Sequence, residues 1–168
     1  MRHKRDMAEF SITRASAADL PRVRDLAYRV WPATYAPILG AEKVGPMLEQ
    51  IYALETLEAD MTEDGHVYWL AANDGGDLGF VSAYREPGRV WIKKLYVLDS
   101  ARGLGLGKAL IATAQGHLGA DVPVALFVND GNAAAIGFYR AQGFEIETSV
   151  PVRMGPFDFI DHVMVRQP

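Results

Sequence analysis

The stretch Trp91-Ile92-Lys93-Lys94-Leu95-Tyr96-Val97-Leu98-Asp99-Ser100-Ala101-Arg102-Gly103-Leu104-Gly105-Leu106-Gly107-Lys108-Ala109-Leu110 decides the fold. Its first part is apolar, aromatic and β-branched, which is the pattern of a strand. A short polar turn follows, then three alternating glycines, then apolar residues at helical spacing: Leu106, Leu110, Ala114 and Leu118. The order is strand, glycine-rich loop, helix.

The first N–H groups of a helix have no partner within it and carry the positive end of its dipole, so an anion belongs at that end. Glycines allow positive φ and a close backbone approach, and Arg102 and Lys108 add positive charge. The ligand expected here is a phosphate or pyrophosphate. A Walker loop is excluded, because Arg102 stands where its first glycine belongs and Ala109 where its Ser or Thr belongs. The dinucleotide pattern G-x-G-x-x-G fails as well, since Gly103 and Gly105 are followed by Lys108, and Gly105 and Gly107 by Leu110. What remains is Arg-x-x-Gly-x-Gly after a strand.

A second motif stands downstream: Asn132, Ala135 and Tyr139 in the pattern Asn-x-x-Ala-x-x-x-Tyr, followed by Gly143-Phe144. Between the two lies the strand-like run Val122-Pro123-Val124-Ala125-Leu126-Phe127-Val128. With both motifs in this order, the chain resembles the GNAT superfamily of N-acetyltransferases from Phe10 to the C-terminus. The resemblance implies that Arg102, Gly103, Leu104, Gly105, Leu106, Gly107 and Lys108 bind the pyrophosphate of acetyl-coenzyme A. It further implies that Asn132 holds the pantetheine or phosphate region, that Tyr139 points its hydroxyl at the coenzyme sulfur, and that a β-bulge frees backbone N–H groups around Leu95, Tyr96 and Val97.

Outward from this core, Phe10–Arg14 alternates as a strand, and Ser16-Ala17-Ala18-Asp19 reads as a cap leading into Leu20, Val23, Leu26 and Val30. The prolines in Trp31-Pro32-Ala33-Thr34-Tyr35-Ala36-Pro37 predict a break, with a second helix over about Ala41–Leu54. Runs at 66–72 and 78–84 join the Trp91 strand through tight turns as an antiparallel meander. After the glycine loop come a helix to about Leu118, a strand from Val122, a helix over 132–142 and two runs near 144–152 and 157–165. The expected class is α/β (α+β), a mixed, mostly antiparallel central sheet of roughly six to seven strands flanked by about four helices, as in the GNAT fold. Residues 10–168 read as a single acyltransferase domain, and the basic opening at 1–9 as a frayed N-terminus.

Composition sets outer bounds. The chain has 168 residues, 49% hydrophobic and 23% charged, which is ordinary globular usage and excludes a disordered or coiled-coil chain. It has no cysteine, so disulfides, thiolate metal sites and a cysteine nucleophile are out. The four histidines, His3, His66, His117 and His162, show no ligand spacing, so no metal is expected. Neither a membrane-length apolar run nor a signal peptide is visible, so a cytoplasmic location is expected. The formal net charge of -4 argues against nucleic acid and is compatible with a cationic acceptor. The partners implied are acetyl-coenzyme A and an amine acceptor, without nucleic acid or membrane; a homodimer is compatible with the sequence.

Acyl transfer to an amine sets chemical demands. A lysine-like amine has a reference pKa of about 10.4 and must lose a proton before it attacks. The carbonyl oxygen needs preorganised donors, and the leaving thiolate benefits from an acid. Tyr139 is the candidate acid; by helix position alone it reads more readily as a core tyrosine, and the complete motif reverses that in favour of function. Glutamate stands four residues before the position of Leu95 in histone-directed members, whereas this chain has Trp91 there, so histone-type catalysis is not expected. Glu86, Asp64, His66 and Asp161 are candidate bases without ranking, and Lys93 and Lys94 read as a solvated strand edge. Trp31 and Tyr35, with Tyr28, Met47 and Tyr52, either wall an acceptor pocket or pack helix against sheet. The Trp31–Leu48 region and the ending Met154–Met164 are similar to a bacterial subgroup that includes polyamine acetyltransferases. Two other readings stay open, a non-catalytic acyl-coenzyme A sensor and a nucleic-acid-binding regulator using the N-terminal Arg and Lys residues.

Overall fold

The computed structural model describes residues 9–168, so the expected frayed opening lies, but for Glu9, outside the described residues. Strand β1 (Ser11–Arg14) leads through a 3-10 turn, Ala17–Asp19, closed by the Ser16 N–H donating to Asp19 Oδ2 at 2.9 Å. Three helices follow: α1 (Leu20–Leu39), α2 (Ala41–Tyr52) and α3 (Leu54–Thr62). Strands β2 (Val67–Asn73), β3 (Gly76–Glu86) and β4 (Arg89–Val97) form the antiparallel meander, and helix α4 (Leu106–Leu118) follows the glycine loop. Strand β5 (Val124–Asn129), helix α5 (Ala133–Ala141) and the hairpin of β6 (Glu145–Met154) with β7 (Phe157–Arg166) complete the order.

The strands make one seven-stranded sheet in the order β1-β2-β3-β4-β5-β7-β6. All neighbours are antiparallel except β4 and β5, so the mixed sheet with helices on its faces is the expected GNAT-type architecture. Inward side chains of β2 to β5, including Tyr68, Leu70, Phe80, Ile92 and Leu126, pack against Leu20, Leu26 and Tyr52 of the N-terminal helices and Leu110 and Ile111 of α4. None of the described helices is long and apolar enough to cross a membrane.

Two readings of the helices need correction. Pro32 and Pro37 do not break α1, which runs through both for 20 residues. Each proline removes one helical hydrogen bond, but Trp31 is buried in the core and the partly buried Tyr35 packs against it, ring centroids 4.4 Å apart, and that packing outweighs the local loss. The Thr34 hydroxyl also donates to the Val30 carbonyl at 3.0 Å. Helix α3 is additional to the expected set; the break before it is made by Ala53 at ψ 137, without glycine or proline to mark it.

Candidate active site

The site begins where two strands part. Pairing of β4 with β5 covers only Val90–Ile92 against Val124–Leu126, while β5 continues along β7 as far as Asn129. On its other side β4 keeps pairing with β3, but the register shifts between Ser82 and Ala83, leaving Lys93 as an extra residue: a β-bulge. Beyond it, the Leu98 N–H donates to the Leu78 carbonyl at 2.9 Å. By strand alternation the backbone groups of Tyr96 also face β3, whereas those of Leu95 and Val97 face the gap. The gap opens into a cavity of about 380 Å³ that reaches from α1 and α2 to α5 and the β6–β7 hairpin.

Tyr139 and Asn132 enter this cavity from α5, with small Ala135 between them. Asn132 is the N-cap rather than a helical residue: its Oδ1 accepts the Ala135 N–H at 3.2 Å, which leaves its amide N–H groups for a ligand. The Tyr139 hydroxyl has no hydrogen-bond partner among the described residues, and burial, then the nearby Tyr35, push its pKa above the ordinary tyrosine value. It is a proton donor at neutral pH. The Gly143-Phe144 pair holds its ring. Gly143, at φ +93, turns the chain so that the Phe144 N–H donates to the Tyr139 carbonyl at 3.0 Å, and the two rings meet edge to face at 5.6 Å. The Arg166 guanidinium lies over the Phe144 ring, 4.9 Å from its centroid.

In the glycine loop the three glycines have different duties. Gly103 and Gly105 have φ of +86 and +76, and a Cβ on either would meet open space, so the loop surface is free for a ligand to approach. Gly107 serves packing, since its Cβ would lie 2.9 Å from Phe138 Cζ on α5. Leu106 is buried and Leu104 packs against the core, so both offer only backbone groups. The first N–H to bond within α4 is that of Ala109, to the Gly105 carbonyl. The N–H groups of Leu106, Gly107 and Lys108 are therefore left for an anion. Arg102 and Lys108 are exposed beside them, Arg102 lying 2.9 Å from Asp99.

Across the gap, Trp31, Tyr35, Met47 and Tyr52 line the cavity, whereas Tyr28 does not: it is exposed, with Arg24 over its ring. Of the four candidate bases only Asp161 lines the cavity. Glu86 accepts the Trp91 Nε1–H at 3.1 Å, Asp64 is exposed, and His66 is stacked on Tyr84 with ring centroids 4.7 Å apart. Burial raises the Asp161 pKa above the usual carboxylate value, and Asp130 raises it further, while Lys93 and His162 oppose the shift. Among the described residues no cluster of three metal-ligating side chains occurs.

Lys94 is a further correction: it is no solvated edge residue but buried, 6% exposed. Its Nζ donates to Asp60 Oδ2 and to the Tyr68 hydroxyl, both at 3.1 Å, and the Tyr68 hydroxyl in turn donates to Asp60 at 3.0 Å. Burial lowers the Lys94 pKa and Asp60 pulls it back, as expected of a paired internal charge. Asp60 comes from α3, whose apolar spacing at Leu54, Leu57 and Met61 was the available signal for it.

The stretch that carries the strand gap, the glycine loop and the buried tyrosine also matches a known family: residues 64–146 correspond to the acetyltransferase (GNAT) domain. These residues form a GNAT acetyltransferase domain. The matched GNAT span contains the whole glycine loop and the motif from Asn132 to Phe144. An uncharacterized N-acetyltransferase of Mycobacterium tuberculosis is 29% identical over 154 residues, 89% of this chain and 97% of that protein. A mycothiol acetyltransferase of Streptomyces griseus is 37% identical over 97 residues, 54% of this chain and 31% of that protein. Among solved GNAT structures, the PaiA N-acetyltransferase of Thermoplasma acidophilum in complex with coenzyme A superposes with a TM-score of 0.81 at 21% identity, over 95% of this chain and 99% of the other. At that identity the likeness is one of fold.

Proposed function

We propose that this chain transfers an acetyl group from acetyl-coenzyme A to a primary amine of a small molecule or peptide by direct attack within a ternary complex. The observation that carries the reading is the Tyr139 hydroxyl, buried, protonated and without a partner among the described residues, in the cavity at the gap between β4 and β5. The residues present fit the coenzyme. Open glycines at positive φ, three free helix N–H groups, Arg102 and Lys108 suit a pyrophosphate. The gap-facing backbone of Leu95 and Val97 and the Asn132 amide suit an amide-bearing arm leading into the cavity. Bound there, acetyl-coenzyme A supplies the activated acyl group.

The chain's own contributions follow from position. Of the gap-facing N–H groups of Leu95 and Val97, one donates to the thioester carbonyl, where negative charge develops as the amine attacks, and the other to the coenzyme's amide-bearing arm. Tyr139 donates its proton toward the departing sulfur; a thiolate shut away from water is a stronger base than in solution, which favours the transfer despite the raised tyrosine pKa. Trp31 and Tyr35 wall the side from which the acceptor arrives.

The test is thiol release from acetyl-coenzyme A across a panel of amines, amino acids and peptides, with coenzyme binding measured by calorimetry. Binding together with turnover on one acceptor class is expected. Absence of coenzyme binding overturns the reading.

A further inference from the structure

We infer that the acceptor is a primary monoamine with an apolar, ring-bearing body, held by its ammonium group on Asp161, and that extended polyamines are poor acceptors. This rests on the acyltransferase reading above and goes beyond it to the substrate class.

Charge in the cavity carries the argument. Asp161 is the one carboxylate among the described residues that line it. Of the two lysines there, Lys94 is already neutralised by Asp60, and Lys93 is exposed on the bulge. The opposite walls are apolar: Trp31 and Tyr35 from α1, Met47 and Ile51 from α2, and Met154 and Phe159 from the hairpin. A single ammonium finds its counter-charge at Asp161, and an aromatic or alkyl body finds matching surface behind it. The second and third ammonium groups of a polyamine would find no further carboxylate among the described lining residues; the neutral amides of Asn129 and Asn132 and the tyrosine hydroxyls bring no counter-charge, Lys93 repels, and a buried cation without a counter-charge is strongly disfavoured.

The surroundings of Asp161 also suit it to take a proton. Its register neighbours are Asn129 on β5 and Val150 on β6, and the charged or titratable groups that act on it are Asp130, Lys93, His162 and Tyr35. It forms no hydrogen bond among the described residues, so its oxygens are available to the substrate. Asp161 accepts one proton from the ammonium; the freed nitrogen lone pair forms the C–N bond, the C–S bond breaks, and sulfur takes the proton of Tyr139. Of the two protons that nitrogen loses, one restores Tyr139 and the other leaves to solvent, so one proton is released per turnover.

The experiment compares phenethylamine with spermidine as acceptors at saturating acetyl-coenzyme A, in the wild-type protein and in Asp161→Asn, with coenzyme affinity and melting temperature measured alongside. Phenethylamine is expected to exceed spermidine in kcat/KM by about 20-fold or more. Asp161→Asn is expected to lower kcat/KM for phenethylamine by about 100-fold and to remove the acidic limb of its pH profile, with coenzyme affinity and melting temperature unchanged. Asp158→Asn, on the exposed part of the same hairpin beside Arg153, leaves the rates unchanged. Equal or better turnover of spermidine overturns the proposal, as does an Asp161→Asn protein with full activity or a lack of turnover on both amines with coenzyme bound. Failure to bind the coenzyme falls instead on the acyltransferase reading.

Discussion

The hydroxyls of Tyr35 on α1 and Tyr96 on β4 are hydrogen-bonded to each other at 2.8 Å, tying the longest helix to the strand that borders the gap. Burial raises the pKa of both, so neither ionises at neutral pH. Tyr35→Phe leaves the Tyr96 hydroxyl without this partner in a buried place, and is expected to destabilise the protein by about 1–2 kcal/mol in urea unfolding. Because Tyr35 lines the cavity, acceptor KM rises as well, while coenzyme affinity stays unchanged.

Tyr139→Phe keeps the ring clamped by Phe144 and removes only the hydroxyl. The expected outcome is a fall in kcat of about 100-fold with acetyl-coenzyme A affinity changed less than about twofold. Steady-state kinetics beside calorimetry separate this from a packing role, which would weaken binding and spare kcat.

Lys94→Met leaves the partly buried Asp60 without its cation. The expected cost is about 3 kcal/mol, and the double variant Asp60→Asn with Lys94→Met recovers most of it, because removing both charges avoids an uncompensated one. Equal losses in the single and double variants would show that the pair's geometry, not charge balance, matters.

His66 provides a pH dependence. Burial lowers its folded pKa below the ordinary 6.5, against the opposing pull of Asp60. In the window below 6.5 the unfolded chain therefore binds more protons than the folded one, so this contribution is full above that window and is lost as pH falls through 6.5 toward the folded pKa. His66→Phe keeps the stack on Tyr84 and cannot titrate. Its unfolding free energy is expected to fall less between pH 7 and 5 than that of the wild-type protein, measured by urea titration at each pH.

The parts of the fold legible in the sequence were those written in local windows. The strand, glycine loop and helix from Trp91 to Leu118 announce themselves by turn chemistry and periodicity, and the Asn132–Phe144 motif lies within two turns of helix and one tight exit. The misreadings arose where distant contacts overruled local rules. Pro32 and Pro37 predict a break, but the burial of Trp31 against Tyr52 and Tyr96 holds the helix through them. Lys94 reads as exposed because its counter-charge sits 34 residues away on a helix whose start carries no glycine or proline. Asp161 could not be ranked among four acids and bases, since only the crossing of β5 and β7 brings it to the cavity.

The three-residue contact between β4 and β5 means that the sheet is left unfinished in mid-strand, and a ligand that enters with amide groups takes the place of the missing neighbour. Neighbouring amides on β4 then keep different clocks. The Tyr96 N–H, locked to β3, exchanges slowly with solvent deuterium whether or not the coenzyme is present, whereas those of Leu95 and Val97 exchange quickly in the free protein and slow when acetyl-coenzyme A is added. Substrate binding is in this sense the last step of building the sheet.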